Sequence, residues 1–250
     1  MKDLTVIIPV EKMDDDRKAM FKAAYDSIEP ETPVIVIGPS EELDKLRADY
    51  PDAKFVNNED VNLPKQVNLA VSEVGTKYFS VLEYDDMYTK HWFKNLKERM
   101  GANPDLFAYL PICEVFSHDK PESIIGYMNE PVWASSFSEK LGFFDTESLN
   151  NYINVNCTGG AFDKDMFLEI GGLKESMKLS FWYEMILRAN YKSKSIYVIP
   201  KIGYRHRINR PESLMDVYSK TMEPKEADWW ISLAKEEQYF KRDRNKQYKK

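Results

Sequence analysis

Four short apolar runs, each followed by a segment of helical periodicity, constrain this chain more than any other feature. Residues 4–10 are rich in β-branched side chains, carry a proline at their end and read as a buried strand. In residues 14–28, Phe21, Ala24, Tyr25 and Ile28 recur at helical spacing. Asp14, Asp15 and Asp16 suit the start of that helix, where the backbone dipole favours negative charge. A second buried strand over 33–37 is closed by Gly38-Pro39, and Ser40 can cap a helix that turns Leu43 and Leu46 inward. Residues 54–57 read as a third strand. Pro64 then opens a helix whose apolar face is Val67, Ala70, Val71 and Val74, and Gly75 ends it. A fourth strand over 78–82 delivers Glu83-Tyr84-Asp85-Asp86, and a helix over 90–100 brings Trp92, Phe93 and Leu96 to a core.

Strictly alternating strands and helices predict an α/β fold, a mostly parallel central sheet with flanking helices. Crossovers between parallel strands are right-handed, so the loops after successive strands share one edge. Ligands of open sheets bind at that edge. Pro9-Val10-Glu11 and Glu83 to Asp86 both fall there. The second half is less regular: a long strand over 106–116, a loop-rich aromatic stretch over 117–152, helices over 163–170 and 181–191, and strands over 195–199 and 202–206. Helices over 212–222 and 226–240 close the chain. No repeat or low-complexity linker divides it, so one domain of two lobes is expected.

Composition narrows the function class. Hydrophobic residues make up 43% of 250, enough for a substantial core, and no apolar run approaches the ~20 residues of a membrane helix. The N-terminus turns acidic too early for a signal peptide. Cys113 and Cys157 are isolated and no CxxC occurs, which argues against a zinc site or a disulfide framework and for a reducing, cytoplasmic location. A net charge of −6 gives no global footprint for nucleic acid. The exception is the basic tail at Lys241, Arg242, Arg244, Lys246, Lys249 and Lys250, a solvated end or a contact for an anionic surface.

Glu83, Asp85 and Asp86 crowd three carboxylates into four positions. Such groups raise one another's pKa, at about 1.4 kcal/mol per unit. A divalent cation removes that cost, and oxygen ligands suit Mg²⁺ or Mn²⁺. The bland alternative is an acidic turn capping the next helix.

Leu4 to Val10, Asn68 to Asp86 and residues 156–173, in that order, together resemble family 2 glycosyltransferases. Leu4-Thr-Val-Ile-Ile-Pro-Val10 resembles their opening strand. Asn68-Leu-Ala-Val71 with Gly75-Thr-Lys-Tyr-Phe-Ser-Val-Leu-Glu-Tyr-Asp-Asp86 resembles the block that ends in their DxD-type motif. Residues 156–173, with Gly159-Gly160 and Gly171-Gly172, resemble their glycine–phenylalanine segment. The resemblance spans about residues 4–210 and implies the GT-A fold, a Rossmann-like sheet. It implies a metal-dependent glycosyltransferase that moves a sugar from a nucleoside diphosphate sugar to an acceptor hydroxyl, with inversion. Residues 1–104 would form the nucleotide-sugar-binding lobe, 105–210 the acceptor lobe, and 211–250 a helical extension ending in the basic tail. Pro9, Val10, Glu11, Glu83, Tyr84 and Asp85 would hold the donor. Asp85 and Asp86 would hold Mn²⁺ or Mg²⁺. His206, in Tyr204-Arg-His-Arg-Ile-Asn-Arg210, is similar to the family's late histidine and would complete the metal shell.

Other candidates carry their own chemistry. Gly159 and Gly160 lack a Cβ and let backbone approach a sugar or diphosphate, or simply turn the chain. Lys65 and Asn68 lie on one side of a helix start, where a phosphate is favoured; solvent exposure and capping are the alternatives. Arg207, with Arg205 and Arg210, can hold a diphosphate. Along a regular strand Arg205 and Arg207 share one face and His206 takes the other. Trp133, Phe137 and Phe143 offer a sugar-stacking surface or core packing.

The general base is expected at Glu184. The family carries an acidic pair shortly before a helix ending in Leu-x-x-x-Arg, and the matching stretch here is Ser180 to Arg188. Trp182 takes the usual aspartate's place, leaving Glu184 as that window's carboxylate. Its alternative is an i,i+4 pair with Arg188 on a surface helix. A second departure is strand two, which ends without the acidic residue that reads the nucleobase. A non-catalytic protein that kept the fold is therefore the chief rival. A nucleotidyltransferase would need a glycine-rich loop after strand one, and Val10-Glu11-Lys12-Met13 has no glycine. The acceptor class stays open between glycan, lipid carrier, protein and modified nucleic acid, as does the oligomeric state.

Overall fold

The computed structural model describes residues 1–134 and 142–236. Its first half follows the expected alternation. β1 (Leu4–Pro9), β2 (Val34–Gly38), β3 (Lys54–Asn57) and β4 (Tyr78–Val81) alternate with α1 (Asp15–Asp26), α2 (Ser40–Asp44) and α3 (Leu63–Ser72). β1 pairs in parallel with β2 and β4, and β2 with β3. Successive side chains of a strand face opposite ways. Ile7 of β1 therefore joins the core beneath α3, while Val6 and Ile8 join the core beneath α1 and α2. Burial on both faces is why these strands read as continuous apolar runs rather than alternating ones. Two of these helix starts are capped by side chains; α2 is not, because Ser40, expected as its cap, is its first residue and Pro39 precedes it without a side-chain cap. Asp14 accepts from the Arg17 N–H at 3.0 Å, and Asn62 accepts from the Lys65 N–H at 3.0 Å, with Pro64 in the first turn of α3.

Then follow β5 (Met87–Tyr88), α4 (Trp92–Ala102), β6 (Ala108–Ser117), β7 (Lys120–Met128), α5 (Pro131–Ala134), α6 (Thr146–Asn151), β8 (Ala161–Asp163), α7 (Lys164–Ile170), α8 (Phe181–Tyr191), β9 (Ile196–Ile208), α9 (Leu214–Thr221) and α10 (Pro224–Glu236). One sheet runs β3-β2-β1-β4-β8-β6-β9-β5, with β7 added to β6. It is parallel over the first four strands and mixed beyond them. β8 lies antiparallel to both β4 and β6, while β6 and β9 are parallel. β9 is a single strand where the sequence suggests two. Pro111 pairs with Ile199 and Ile112 with Ile202, so Pro200 and Lys201 bulge out of register and interrupt the apolar pattern. β7 lies inside the stretch expected to be loop-rich. It is an edge strand exposed along most of its length, so it carries no in–out alternation to read.

No described helix is long and apolar enough to cross a membrane. Phe137 and the basic tail lie outside the described residues.

Candidate active site

The turns that follow β1, β4 and β9 meet around a cleft of about 340 Å³. β1 brings Pro9, Val10 and Glu11; β4 brings Glu83, Tyr84 and Asp85; β9 brings His206 and Arg207, with Arg210 just beyond. The floor is fixed through main chain. The Val10 N–H donates to the Ile37 carbonyl at 2.8 Å, and the Val10 carbonyl accepts from the buried Gln66 amide at 3.0 Å. The Glu83 N–H donates to the Tyr204 hydroxyl at 3.2 Å, which ties the acidic turn to β9.

The three carboxylates of that turn have different surroundings. Asp86 is fully buried, and both its oxygens are used: one takes the His206 Nδ1 contact at 2.8 Å, the other the Arg207 N–H at 2.7 Å. Asp85, 7% exposed, accepts from Arg210 Nε at 2.6 Å. Burial raises the Asp85 pKa, Asp86 raises it further, and Arg210 works against both. Glu83 is half-buried and makes no ion pair among the described residues. Burial, then the charges of Asp86 and Asp85, push it up to about 8. For His206 burial disfavours the charged form. Asp86 and then the other two carboxylates more than offset this and push it up to about 9. Burial lowers the Arg207 pKa against the pull of Asp85 and Asp86. The mutual repulsion expected from the sequence is real, but protein cations answer much of it.

Along the end of β9, the guanidinium groups of Arg205 and Arg207 both lie over the Phe116 ring, at 4.7 and 4.8 Å, as side chains on one face should. Arg205 is held by Glu114 at 2.7 Å and does not line the cleft. Arg207 does. Its Nε donates to the Asp85 carbonyl at 2.9 Å, and its two terminal nitrogens take no partner among the described residues.

Several expected site residues have other work. Glu184 is fully buried rather than on a helix surface, and it does not line the cleft. Its two oxygens accept from Arg188 Nε at 2.9 Å and Nη2 at 2.8 Å, and Lys174 stands 3.3 Å away. Arg188 in turn donates to the carbonyls of Ile170 and Gly172. The pair is a clamp on the turn after α7, and Glu184, expected as general base, is directed into that clamp rather than into the cleft. Asn68 bolts the same turn: its amide donates to the Leu173 carbonyl at 2.9 Å and accepts from the Leu173 N–H at 2.8 Å. Lys65 is exposed, pairs with Asp60 at 2.6 Å and does not line the cleft. Gly159 has φ +75°, and a Cβ there would stand 2.1 Å from the Tyr204 ring; one on Gly160 would stand 2.6 Å from Leu110. Both glycines pack closely against β9 and β6, and neither lines the cleft. Phe143 packs edge-on against Tyr197 in the core, at 4.8 Å between ring centres.

The sequence alone did not single out Gln66, Asn156, Thr158 or the apolar wall of Leu179, Trp182 and Met215 as cleft lining. Trp182 is half-buried and stacks on Phe162, 5.8 Å between ring centres at 17°. Its presence where the family has aspartate was the available signal.

No family model matches the sequence, and no curated protein matches it. Among solved structures, the fold is similar to Staphylococcus aureus TarS. Residues 1–349 of TarS in complex with UDP-GlcNAc superpose with a TM-score of 0.68 at 12% identity, over 93% of this chain and 65% of that one. The same fragment in complex with UDP gives 0.60 at 11% identity, over 95% and 72%. This chain thus spans under two thirds of the first of these structures. The likeness is one of fold: the GT-A arrangement that the sequence resemblance implied.

Proposed function

We propose that this chain is a glycosyltransferase that binds a nucleoside diphosphate sugar in the cleft after β1, β4 and β9 and transfers the sugar, with inversion, to an acceptor hydroxyl. The observation that carries it is the convergence of Pro9 to Glu11, Glu83 to Asp85, and Arg207 around one cleft at the carboxyl ends of parallel strands. The GT-A fold and neighbours bound to UDP-GlcNAc and UDP support a UDP-linked donor. Residues 1–104 would supply most of the donor wall, and residues 105–210 the acceptor side together with Arg207.

In such a transfer the acceptor oxygen attacks the anomeric carbon and the diphosphate departs with the bonding pair. Charge then grows on the diphosphate oxygens. Arg207 is the candidate for them, because among the described residues its terminal N–H groups take no partner and its position is fixed through Nε and Phe116. Preorganised charged donors in a partly dehydrated site stabilise such charge better than water does. Glu184 does not line the cleft, which argues against it as acceptor of the proton. The carboxylates that line the cleft are Glu11, Glu83 and Asp85, and proton transfer falls to this set.

The Mn²⁺ or Mg²⁺ expected at Asp85, Asp86 and His206 does not fit these residues as they stand. Asp86 has both oxygens engaged, one of them by His206 Nδ1 at 2.8 Å, and Asp85 is paired with Arg210. Among the described residues no three acidic, histidine or cysteine side chains form a metal site. When bound at such a cleft, a divalent cation would neutralise the leaving diphosphate.

A thermal-shift panel of UDP, GDP, ADP, CDP and dTDP with their common sugar esters tests the donor site. At least one is expected to raise the melting temperature; if none does at saturation, the site is misassigned. A binding protein without transfer is the second reading, favoured by the locked Glu184. It predicts a shifted melting temperature with no diphosphate release from any sugar ester.

A further inference from the structure

Arg210 stands where the sequence calls for a cation from solution. Its side chain, 7% exposed, is the buried junction of all three turns of the cleft. Nε donates to Asp85 at 2.6 Å, after β4. Nη2 stands 3.8 Å from Glu11, after β1. The guanidinium carbon lies 5.1 Å over the Tyr84 ring. The segment carrying it leaves β9 through Asn209 and returns through Glu212, at φ 60° and φ 59°, a conformation that non-glycine residues rarely adopt. Glu212 is pinned from the far side by Arg17 at 2.8 Å. A strained turn held at both ends thus delivers one positive charge between two carboxylates.

From this we infer that Arg210 is the resident cation of the donor site, and that with Arg207 it holds a diphosphate without a divalent metal. The inference rests on the donor assignment above and deepens it. Arg210 neutralises Asp85 from within, as a metal would, and it cannot leave when the diphosphate does. A divalent ion could take Asp85 only by expelling a buried guanidinium from its pair. Arg207, whose terminal nitrogens take no partner among the described residues, supplies the directed hydrogen bonds, for which a planar guanidinium suits phosphate oxygens.

The test is isothermal titration of UDP into the wild-type protein, first in EDTA and then in excess Mn²⁺. The two dissociation constants are expected to agree within about threefold, far below the effect of one charge-assisted bond. Arg210→Met is expected to weaken UDP about 10- to 100-fold in EDTA, the loss of one hydrogen-bonded charge. It is expected to recover affinity in Mn²⁺, because Asp85 then becomes free to ligate. A wild-type protein that binds UDP only with Mn²⁺ overturns the inference and leaves the donor site standing. Absence of UDP binding under both conditions, while another nucleoside diphosphate binds, moves the same comparison to that nucleotide. If no nucleoside diphosphate binds at all, the donor assignment falls and the inference with it. The wild-type comparison does not depend on the variant folding.

Discussion

Replacing Glu184 with glutamine separates a catalytic base from a structural clamp. The side chain is 1% exposed and its partner Arg188 10%, so the pair lies out of water. Removing one charge of a buried pair costs about 3–5 kcal/mol, because the other is left uncompensated. Glutamine keeps the shape and one acceptor, and Arg188 retains its bonds to the carbonyls of Ile170 and Gly172, so the lower end applies. For a chain of this size each kcal/mol moves the melting temperature by about 2–4 °C. Glu184→Gln should therefore melt about 6–12 °C lower by circular dichroism. Nucleotide affinity measured well below that melting point should stay within about twofold, since no oxygen of Glu184 lines the cleft. A base behaves in the opposite way: its loss costs about 10²–10⁴ in turnover with little change in stability. A variant with unchanged melting temperature and abolished sugar transfer would refute the clamp.

Two further outcomes follow from the same geometry. Gly159→Ala must accept both φ +75° and a Cβ 2.1 Å from the buried Tyr204 ring, and is expected to cost about 2–5 kcal/mol in chemical denaturation. A loss under 1 kcal/mol would mean the ring can move aside. Stability should also fall with rising pH. His206 and Glu83 both have folded pKa values above their unfolded ones, so the folded protein binds more protons than the unfolded. The His206 contribution is complete below about 6.5 and lost as pH passes about 9; the Glu83 contribution fades from about 4.5 to about 8. Melting temperatures should decline in the wild type between pH 6.5 and 9, and between pH 8 and 9, above the Glu83 range, they should flatten in His206→Gln; a flat wild-type profile contradicts the His206–Asp86 pair.

The sequence exposed the donor side of the fold because parallel strands buried on both faces leave long apolar runs, and because an acidic cluster after such a run is conspicuous. It hid what depends on long-range pairing. β7 and β8 carry no pattern of their own: one is an exposed edge, the other three residues wedged between β4 and β6. The site residues divide the same way. Asp85, Glu83 and Arg207 could be pointed to from their motifs, but the partners of Asp86 lie more than a hundred positions away in β9, and the partner of Asp85 in the turn after it, which has no glycine to announce its positive φ angles. Glu184 and Asn68 fit their family motifs equally well as ligands or as bolts. Only the turn after α7, which both of them hold, decides for the bolt.

Arg207 offers the most direct test of the central claim, because it lines the cleft with donors that take no partner among the described residues and is not part of the buried clamp. UDP titrated into the wild-type protein should bind at one site per chain. Arg207→Met should weaken that binding about 10- to 100-fold without lowering the melting temperature by more than a few degrees. Equal affinity in the two proteins would contradict a diphosphate site in the cleft after β1, β4 and β9.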